Sequence, residues 1–218
     1  DKVKGWDDPR LVTIKALRRR GFIPEMFKEL AQTVGMSKSG GRIDPTVLAA
    51  ANRSLIDGKV DRYFLVIDPV KIKIIGAPEK EVKIDLHPEF TERGKRILNP
   101  KGEVYLTKKD CDSMKPGKIY RLMDYCNFKV DKGKFYFVSE DYEEYKCSPN
   151  KGLITHWLPA QEVIKCSVLM DDATLVEGLG EKNMQNLNVN DLVQLEREFY
   201  ARVDEKSKDK IKFWYLHK

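Results

Sequence analysis

The chain is poor in the residues that build metal and redox sites. It has three histidines and four cysteines in 218 residues. His87, His156 and His217 are too scattered to suggest a metal site, and Cys111, Cys126, Cys147 and Cys166 are spaced too widely for a zinc ribbon or a redox pair. The four cysteines read as free cytosolic thiols. No apolar run approaches the ~20 residues that span a bilayer. Asp1-Lys2-Val3-Lys4 have no apolar segment behind them, which predicts no signal peptide and a cytoplasmic location. No segment repeats at a fixed period. No nucleophile–base pair, metal cluster or phosphate-cradling glycine loop is visible. Catalytic and metal-ligating residues are therefore both read as none, and no cofactor is expected in this segment.

What is present is charge. Charged residues make up 34% and hydrophobic residues 41%, the balance of a soluble globular chain. The length suits one large domain or two small ones with a sizeable core. The net charge of +6 hints at a polyanionic partner. Its distribution says more: residues 1–62 carry 13 Lys+Arg against 8 Asp+Glu, the remainder 27 against 26. Attraction is concentrated in the first quarter. Elsewhere, any nucleic-acid contact must depend on placed side chains.

The first quarter reads as short helices. Thr13 caps one that runs through Arg20 and stops at Gly21. Arg18, Arg19 and Arg20 then face its negative end and form a candidate phosphate-binding patch. Pro24 opens a second helix whose apolar face is read as Phe27, Leu30, Ala31 and Val34, with Gly35 as its end. Asp44 and Pro45 start a third, with Leu48, Ala51 and Leu55 as its stripe. Asp7 and Asp8 resemble an acid–base dyad, but capping or a bridge to Arg10 is the expected role.

The texture changes near Arg62. Tyr63–Ile67 is β-rich, and Val70–Ile74 and Val82–Leu86 alternate with period two. Further strands are expected at Glu103–Thr107, Lys118–Leu122, Cys126–Val130, Lys134–Val138, Leu153–Leu158, Glu162–Leu169, Asp191–Val203 and Ile211–His217. Many short strands separated by turn residues suggest barrels or a sandwich.

Several segments carry a resemblance. Gly5-Trp6-Asp7-Asp8-Pro9-Arg10-Leu11 with Leu17-Arg18-Arg19-Arg20-Gly21 resembles the segment that follows the catalytic loop in glutaminyl-tRNA synthetases and in archaeal-type glutamyl-tRNA synthetases. Arg62 through Lys71 resembles that family's entry into its first anticodon-binding barrel. Gly76-Ala77-Pro78, His87-Pro88-Glu89 and Glu92-Arg93-Gly94-Lys95-Arg96 are similar to the archaeal glutamyl form. Gly117–Met123, Ile154-Thr155-His156-Trp157 and Val193-Gln194-Leu195-Glu196-Arg197 continue the match in order along the chain.

The resemblance implies an α+β, mainly β fold. It expects a small N-terminal helical bundle at 1–62 that contacts the tRNA stem, then two antiparallel β-barrels at 63–218. The distal barrel is expected near 111–151, inserted in the proximal one. It implies the C-terminal tRNA-reading part of a glutamate–tRNA ligase whose catalytic domain lies upstream; that parent uses ATP and Mg2+, while this segment alone is expected to be inactive. Met36-Ser37-Lys38-Ser39 looks like the lysine-bearing ATP loop, but it follows the Gly-Trp-Asp-Asp-Pro-Arg segment instead of preceding it. Ser37, Lys38 and Ser39 fall instead where the family touches the tRNA backbone, beside Arg18 and Arg19 as further backbone contacts. Arg62, Arg121, Gln194 and Arg197 fall where glutaminyl enzymes contact anticodon bases; a surface ion pair is the ordinary alternative for each. Departures favour the glutamyl form: Met123 replaces an arginine, and Glu198-Phe199-Tyr200 replaces Gly-Phe or Gly-Tyr. The expected partner is a glutamate tRNA and possibly a glutamine tRNA. The rival readings are a glutaminyl anticodon-binding part and a free-standing RNA-binding barrel protein like those that bind 5S RNA.

Overall fold

A computed structural model describes residues 3–35 and 43–218. Three helices come first: α1 (Ile14–Arg20), α2 (Pro24–Val34) and α3 (Pro45–Ile56). Six strands follow: β1 (Asp61–Tyr63), β2 (Leu65–Ile67), β3 (Pro69–Ile75), β4 (Val82–Asp85), β5 (Lys95–Leu98) and β6 (Glu103–Thr107). A short helix α4 (Lys108–Ser113) leads to β7 (Ile119–Leu122), β8 (Asn127–Asp131) and β9 (Lys134–Ser139), and α5 (Tyr142–Cys147) to β10 (Lys151–Thr155) and β11 (Leu158–Pro159). The chain ends with β12 (Val163–Leu169), β13 (Leu175–Glu181), β14 (Leu192–Leu195), β15 (Phe199–Lys206) and β16 (Lys210–His217).

The helix ends follow the local chemistry. The Thr13 hydroxyl accepts from the Ala16 N–H, and Gly21 terminates α1 at φ 115°, a left-handed conformation open to glycine. Asp44 caps α3 by accepting from the Thr46 N–H at 2.8 Å. The inward faces differ from expectation. Met26 and Leu30 are buried on α2, whereas Phe27 and Ala31 are exposed. On α3 the buried line is Leu48, Asn52 and Ile56, with Ala51 and Leu55 at its margin. Leu30 and Leu48 are buried as expected, but the rest of each stripe follows i, i+4 spacing through Met26, Asn52 and Ile56, because the helices pack on Phe22, Tyr200 and Leu216 rather than only on each other. Buried Asn52 stitches the region together. Its side chain accepts from the Ile23 N–H at 3.0 Å and meets His217 Nε2 at 3.0 Å.

The fold is mostly β, in two seven-stranded sheets. The first has the order β1-β14-β15-β16-β12-β13-β2. Its two edges, β1 and β2, are separated in sequence only by Phe64, so the sheet curls until it is nearly closed. The second has the order β10-β7-β8-β9-β3-β6-β11. It therefore draws on 69–75 and 103–107 as well as on strands between 119 and 159. The sheets are mixed rather than purely antiparallel: β1–β14 and β12–β16 pair in parallel in one, β7–β10 and β3–β9 in the other. Hairpin-linked neighbours are antiparallel; parallel pairs arise where segments distant in sequence meet.

The Tyr63–Val66 run explains how the sheets join. Tyr63 and Leu65 enter the core of the first sheet, and Phe64 and Val66 that of the second. Alternate side chains of an extended segment point to opposite faces, so a continuous apolar run buries both. A small β4–β5 hairpin is pinned beside this run. Arg96 on β5, 2% exposed, lies 2.9 Å from Glu181 and donates to the Asp85 carbonyl at 2.8 Å.

Candidate nucleic-acid interface

The expected strand at Asp191–Val203 is two strands and a turn. Leu195 pairs with Phe199, and Glu196, Arg197 and Glu198 connect them. The Glu198 N–H donates to the Leu195 carbonyl at 2.9 Å, and Arg197 sits at φ 67°. Val193, Leu195, Phe199, Ala201 and Val203 are all buried. A three-residue connection keeps the odd-numbered positions inward on both strands, so the period-two pattern runs through the turn without a visible break.

The hairpin presents Arg197 to a cavity of about 550 Å³ at the junction of α3, both sheets and the C-terminus. Gln194, Arg197 and Glu198 line it from the first sheet, Lys109 and Asp110 from α4, Arg53 from α3 and Lys218 from the C-terminal end. Arg197 Nη1 donates to Asp110 Oδ2 at 2.7 Å. It also lies 3.1 Å from Thr155 Oγ1 and 3.1 Å from His156 Nδ1. Burial alone would raise the Asp110 carboxyl; hydrogen bonds from Arg197 and Thr155 outweigh it and hold the group below the usual carboxylate range. Burial, reinforced by the Arg197 charge, pushes His156 down to about 4, so its ring is neutral at pH 7. The half-buried Glu198 carboxyl is raised, chiefly by burial. The cavity thus offers fixed cationic donors, an amide with both donor and acceptor, and carboxylate acceptors. That mixture matches the edge of an unstacked base.

The other expected residues distribute unevenly. Arg62 pairs in parallel register with Gln194, but its side chain does not line the cavity. Its Nη2 lies 3.7 Å from Asp57, which accepts from the Tyr200 hydroxyl. Asp61 is bonded instead to Arg93 at 2.7 Å. Arg62 Nε and Gln194 Oε1 are buried and without a hydrogen-bond partner among the described residues. Arg121 stands apart, in the second sheet and 7% exposed. It donates to Asn127 Oδ1 at 2.8 Å and to the Glu140 carbonyl at 3.2 Å, and it lies over the Tyr142 ring. Its surroundings are those of an internal clamp, not of a surface ion pair.

The arginine run of α1 divides. Arg18 is exposed and borders a separate hollow with Trp6 and Lys15. Arg19 pairs with Asp7 and Asp204 and stacks on Trp214 at 4.3 Å. Arg20 donates to the carbonyls of Tyr215 and Leu216. Two of the three therefore fasten α1 to the last strands. Trp157 is fully buried, but Trp6 is 72% exposed. Asp8 binds Arg10 through both carboxylate oxygens, as expected. Ser37, Lys38 and Ser39 lie outside the described residues. Sequence reasoning missed Arg53, Lys109, Asp110 and Lys218; nothing local marks them. Glu198 and His156 had a signal, one as a departure from the family pattern and the other within the Ile-Thr-His-Trp match.

Comparison with known proteins comes to the same region. Residues 60–150 and 154–204 match two families, each described as "tRNA synthetases class I (E and Q), anti-codon binding domain". The chain is 42% identical over 226 residues to the glutamate–tRNA ligase of Pyrococcus abyssi and 42% to that of Pyrococcus horikoshii, in each case across 100% of this chain and 39% of the relative. It is 37% identical to the glutamate–tRNA ligase of Methanocaldococcus jannaschii, across 98% of this chain and 38% of that protein. The chain thus spans about 39% of the length of the curated relatives it matches.

Proposed function

This chain belongs to the anticodon-binding domains of the class I tRNA synthetases for glutamate and glutamine, and we propose on that premise that it reads the anticodon of a glutamate tRNA within a glutamate–tRNA ligase. The observation that carries the reading is the cavity of about 550 Å³ onto which Gln194, near the end of β14, and Arg197, in the turn that follows, both open. An anticodon base splayed from its stack fits such a site: arginine forks give two-point donors, and a glutamine amide fixes orientation. Arg62 supports the strand that carries Gln194, and Arg121 serves a second region in the other sheet.

In this reading residues 1–62 form a helical subdomain that holds the tRNA stem, with Arg18, Ser37, Lys38 and Ser39 on the backbone. Residues 63–218 form a double β-barrel, its distal part centred on 111–151. Two features support barrels: the first sheet brings both edges to adjacent residues, and the second wraps a common core. The parent enzyme would use ATP and Mg2+ to activate glutamate in the share of its length that this chain does not span. Among the described residues, no group of three or more His, Cys, Asp or Glu side chains is arranged to hold a metal ion. No described helix is long and apolar enough to cross a membrane, and the proposed location is cytoplasmic. Binding energy at the anticodon would then position the acceptor end for transfer.

The test is equilibrium binding to a glutamate tRNA transcript and to the same transcript with its anticodon bases changed, at two salt concentrations. A preference for the native anticodon that survives higher salt is expected. Equal, strongly salt-dependent binding would refute base reading, because phosphate contacts alone behave that way.

A further inference from the structure

Arg197 is held unusually tightly for a residue at the tip of a turn. Its backbone is left-handed, a conformation that a non-glycine residue keeps only where its surroundings enforce it. Its side chain is 32% exposed, but one nitrogen is saturated: Nη1 faces Asp110 Oδ2, Thr155 Oγ1 and His156 Nδ1, all within 3.1 Å, while Nη2 donates one hydrogen to Asp110 Oδ1 at 3.5 Å. Asp110 is 8% exposed, Thr155 0% and His156 1%.

The geometry fixes the protons. His156 Nε2 lies 2.8 Å from the Leu65 carbonyl, which only accepts, so Nε2 carries the hydrogen. Nδ1 is left with a lone pair aimed at Arg197, and the low proton affinity of the buried ring agrees. The anchors also come from both halves of the fold: Leu65 and Arg197 from the first sheet, Thr155 from β10, and Asp110 from α4, which follows β6. A buried ion pair adds little net stability over a well-packed apolar replacement. The network is better explained by what it does to Arg197.

We infer that Asp110, Thr155 and His156 are positioning residues that hold the Nη1–Nη2 end of Arg197, leaving Nε–H and the second hydrogen of Nη2 set toward the cavity as a fixed two-point donor for an anticodon base. The inference rests on the cavity being the base-reading site. His156 acts as an acceptor through Nδ1, not as an acid or a base. Freed from these three acceptors, the arginine still attracts RNA but no longer presents one geometry, so discrimination falls while general affinity stays.

Two substitutions of one residue separate this from simple core packing. His156→Asn places an amide oxygen near the site of Nδ1 and keeps the acceptor. His156→Gln reaches the position of Nε2, keeps the link to Leu65 and loses the acceptor. The 218-residue chain and each variant are titrated with a glutamate tRNA transcript and with its anticodon-changed counterpart. His156→Gln and Asp110→Asn are expected to lower the ratio of the two affinities about tenfold with unchanged binding of the changed transcript, the size expected for loss of one base contact. His156→Asn should restore most of the ratio, and His156→Gln added to Arg197→Ala should cost nothing more. Equal loss in the Asn and Gln variants, tracking their melting temperatures, would overturn the positioning role and leave base reading intact. A wild-type chain with no preference would overturn base reading and the positioning role together. Imidazole 15N shifts of the free chain give an answer without RNA: a neutral, Nε2-protonated His156 is expected at pH 7, and an Nδ1–H or cationic ring would refute the assignment.

Discussion

The backbone N–H of Phe64 donates to the Glu181 carboxylate at 2.6 Å, at the single residue where β1 has ended and β2 has not begun. The break in the ladder is thus satisfied by a side chain from the neighbouring strand. Arg96 completes the arrangement, 2.9 Å from Glu181 and 4.7 Å above the Phe64 ring.

Removing Glu181 strands a buried backbone donor and leaves the buried Arg96 with Glu196, 3.2 Å away, as its one remaining carboxylate partner among the described residues. Glu181→Ala is expected to destabilise the chain by about 3–5 kcal/mol, measured by equilibrium denaturation. Replacing Arg96 and Glu181 together by apolar residues of similar size should recover much of that loss. A double variant as unstable as the single one would show that the pair matters for more than charge balance.

Arginine substitutions should sort by position. Arg197→Ala is expected to weaken binding mainly to tRNA with the native anticodon, by about 1–3 kcal/mol. Arg18 is exposed and fastens nothing among the contacts found for Arg19 and Arg20. Arg18→Ala should weaken all tRNAs alike and reduce the salt dependence by about one counterion. Binding curves at several salt concentrations check both, and uniform losses for Arg197→Ala would remove it from the base-reading set.

Stability should depend on acid in a defined window. His156 and His217 are both pushed from 6.5 to about 4, first by burial. Between these values the unfolded chain binds more protons than the folded one, so stability falls as pH is lowered from about 6.5 toward 4. Above that window the contribution is complete. His156 alone accounts for about 3 kcal/mol of the fall. His156→Gln should flatten the slope, as read from denaturation midpoints at each pH; an unchanged slope would show that the ring is protonated in the folded chain.

Closure of the first sheet leaves no room at Gly178. A Cβ there would lie 2.6 Å from the Val66 carbonyl oxygen, a backbone atom that cannot step aside. Gly178→Ala is expected to push β13 from β2 and cost about 1–3 kcal/mol. Hydrogen exchange should show faster loss of protection at Leu65–Ile67 than elsewhere, whereas a uniform change would argue against a local opening.

Local chemistry was the legible part of this fold. Thr13, Pro24 and Asp44 marked helix ends through their side chains and Gly21 through its lack of one, and alternation marked most strands. Tertiary pairing was not legible. The turn at Arg197 hides because its three residues preserve the alternation on either side. α4 is six residues long and mostly polar, too short to show a periodic face. Arg62 meets Gln194 only through parallel pairing of strands about 130 residues apart, a relation no local pattern carries. The resemblance supplied Arg197 and covered Thr155 and His156 without giving them a role, but it did not supply Asp110, which lies 87 residues away and reaches Arg197 only in the folded chain.

The Tyr63–Val66 run has a consequence for how the molecule comes apart. One strand segment supplies side chains to both cores, so neither sheet owns a complete interior. Loss of either exposes half of the shared segment and strips the other of Phe64 and Val66, or of Tyr63 and Leu65. The two sheets therefore melt as one cooperative unit despite their separate hydrogen-bond networks, and neither half is a module that recombination or truncation can transplant intact.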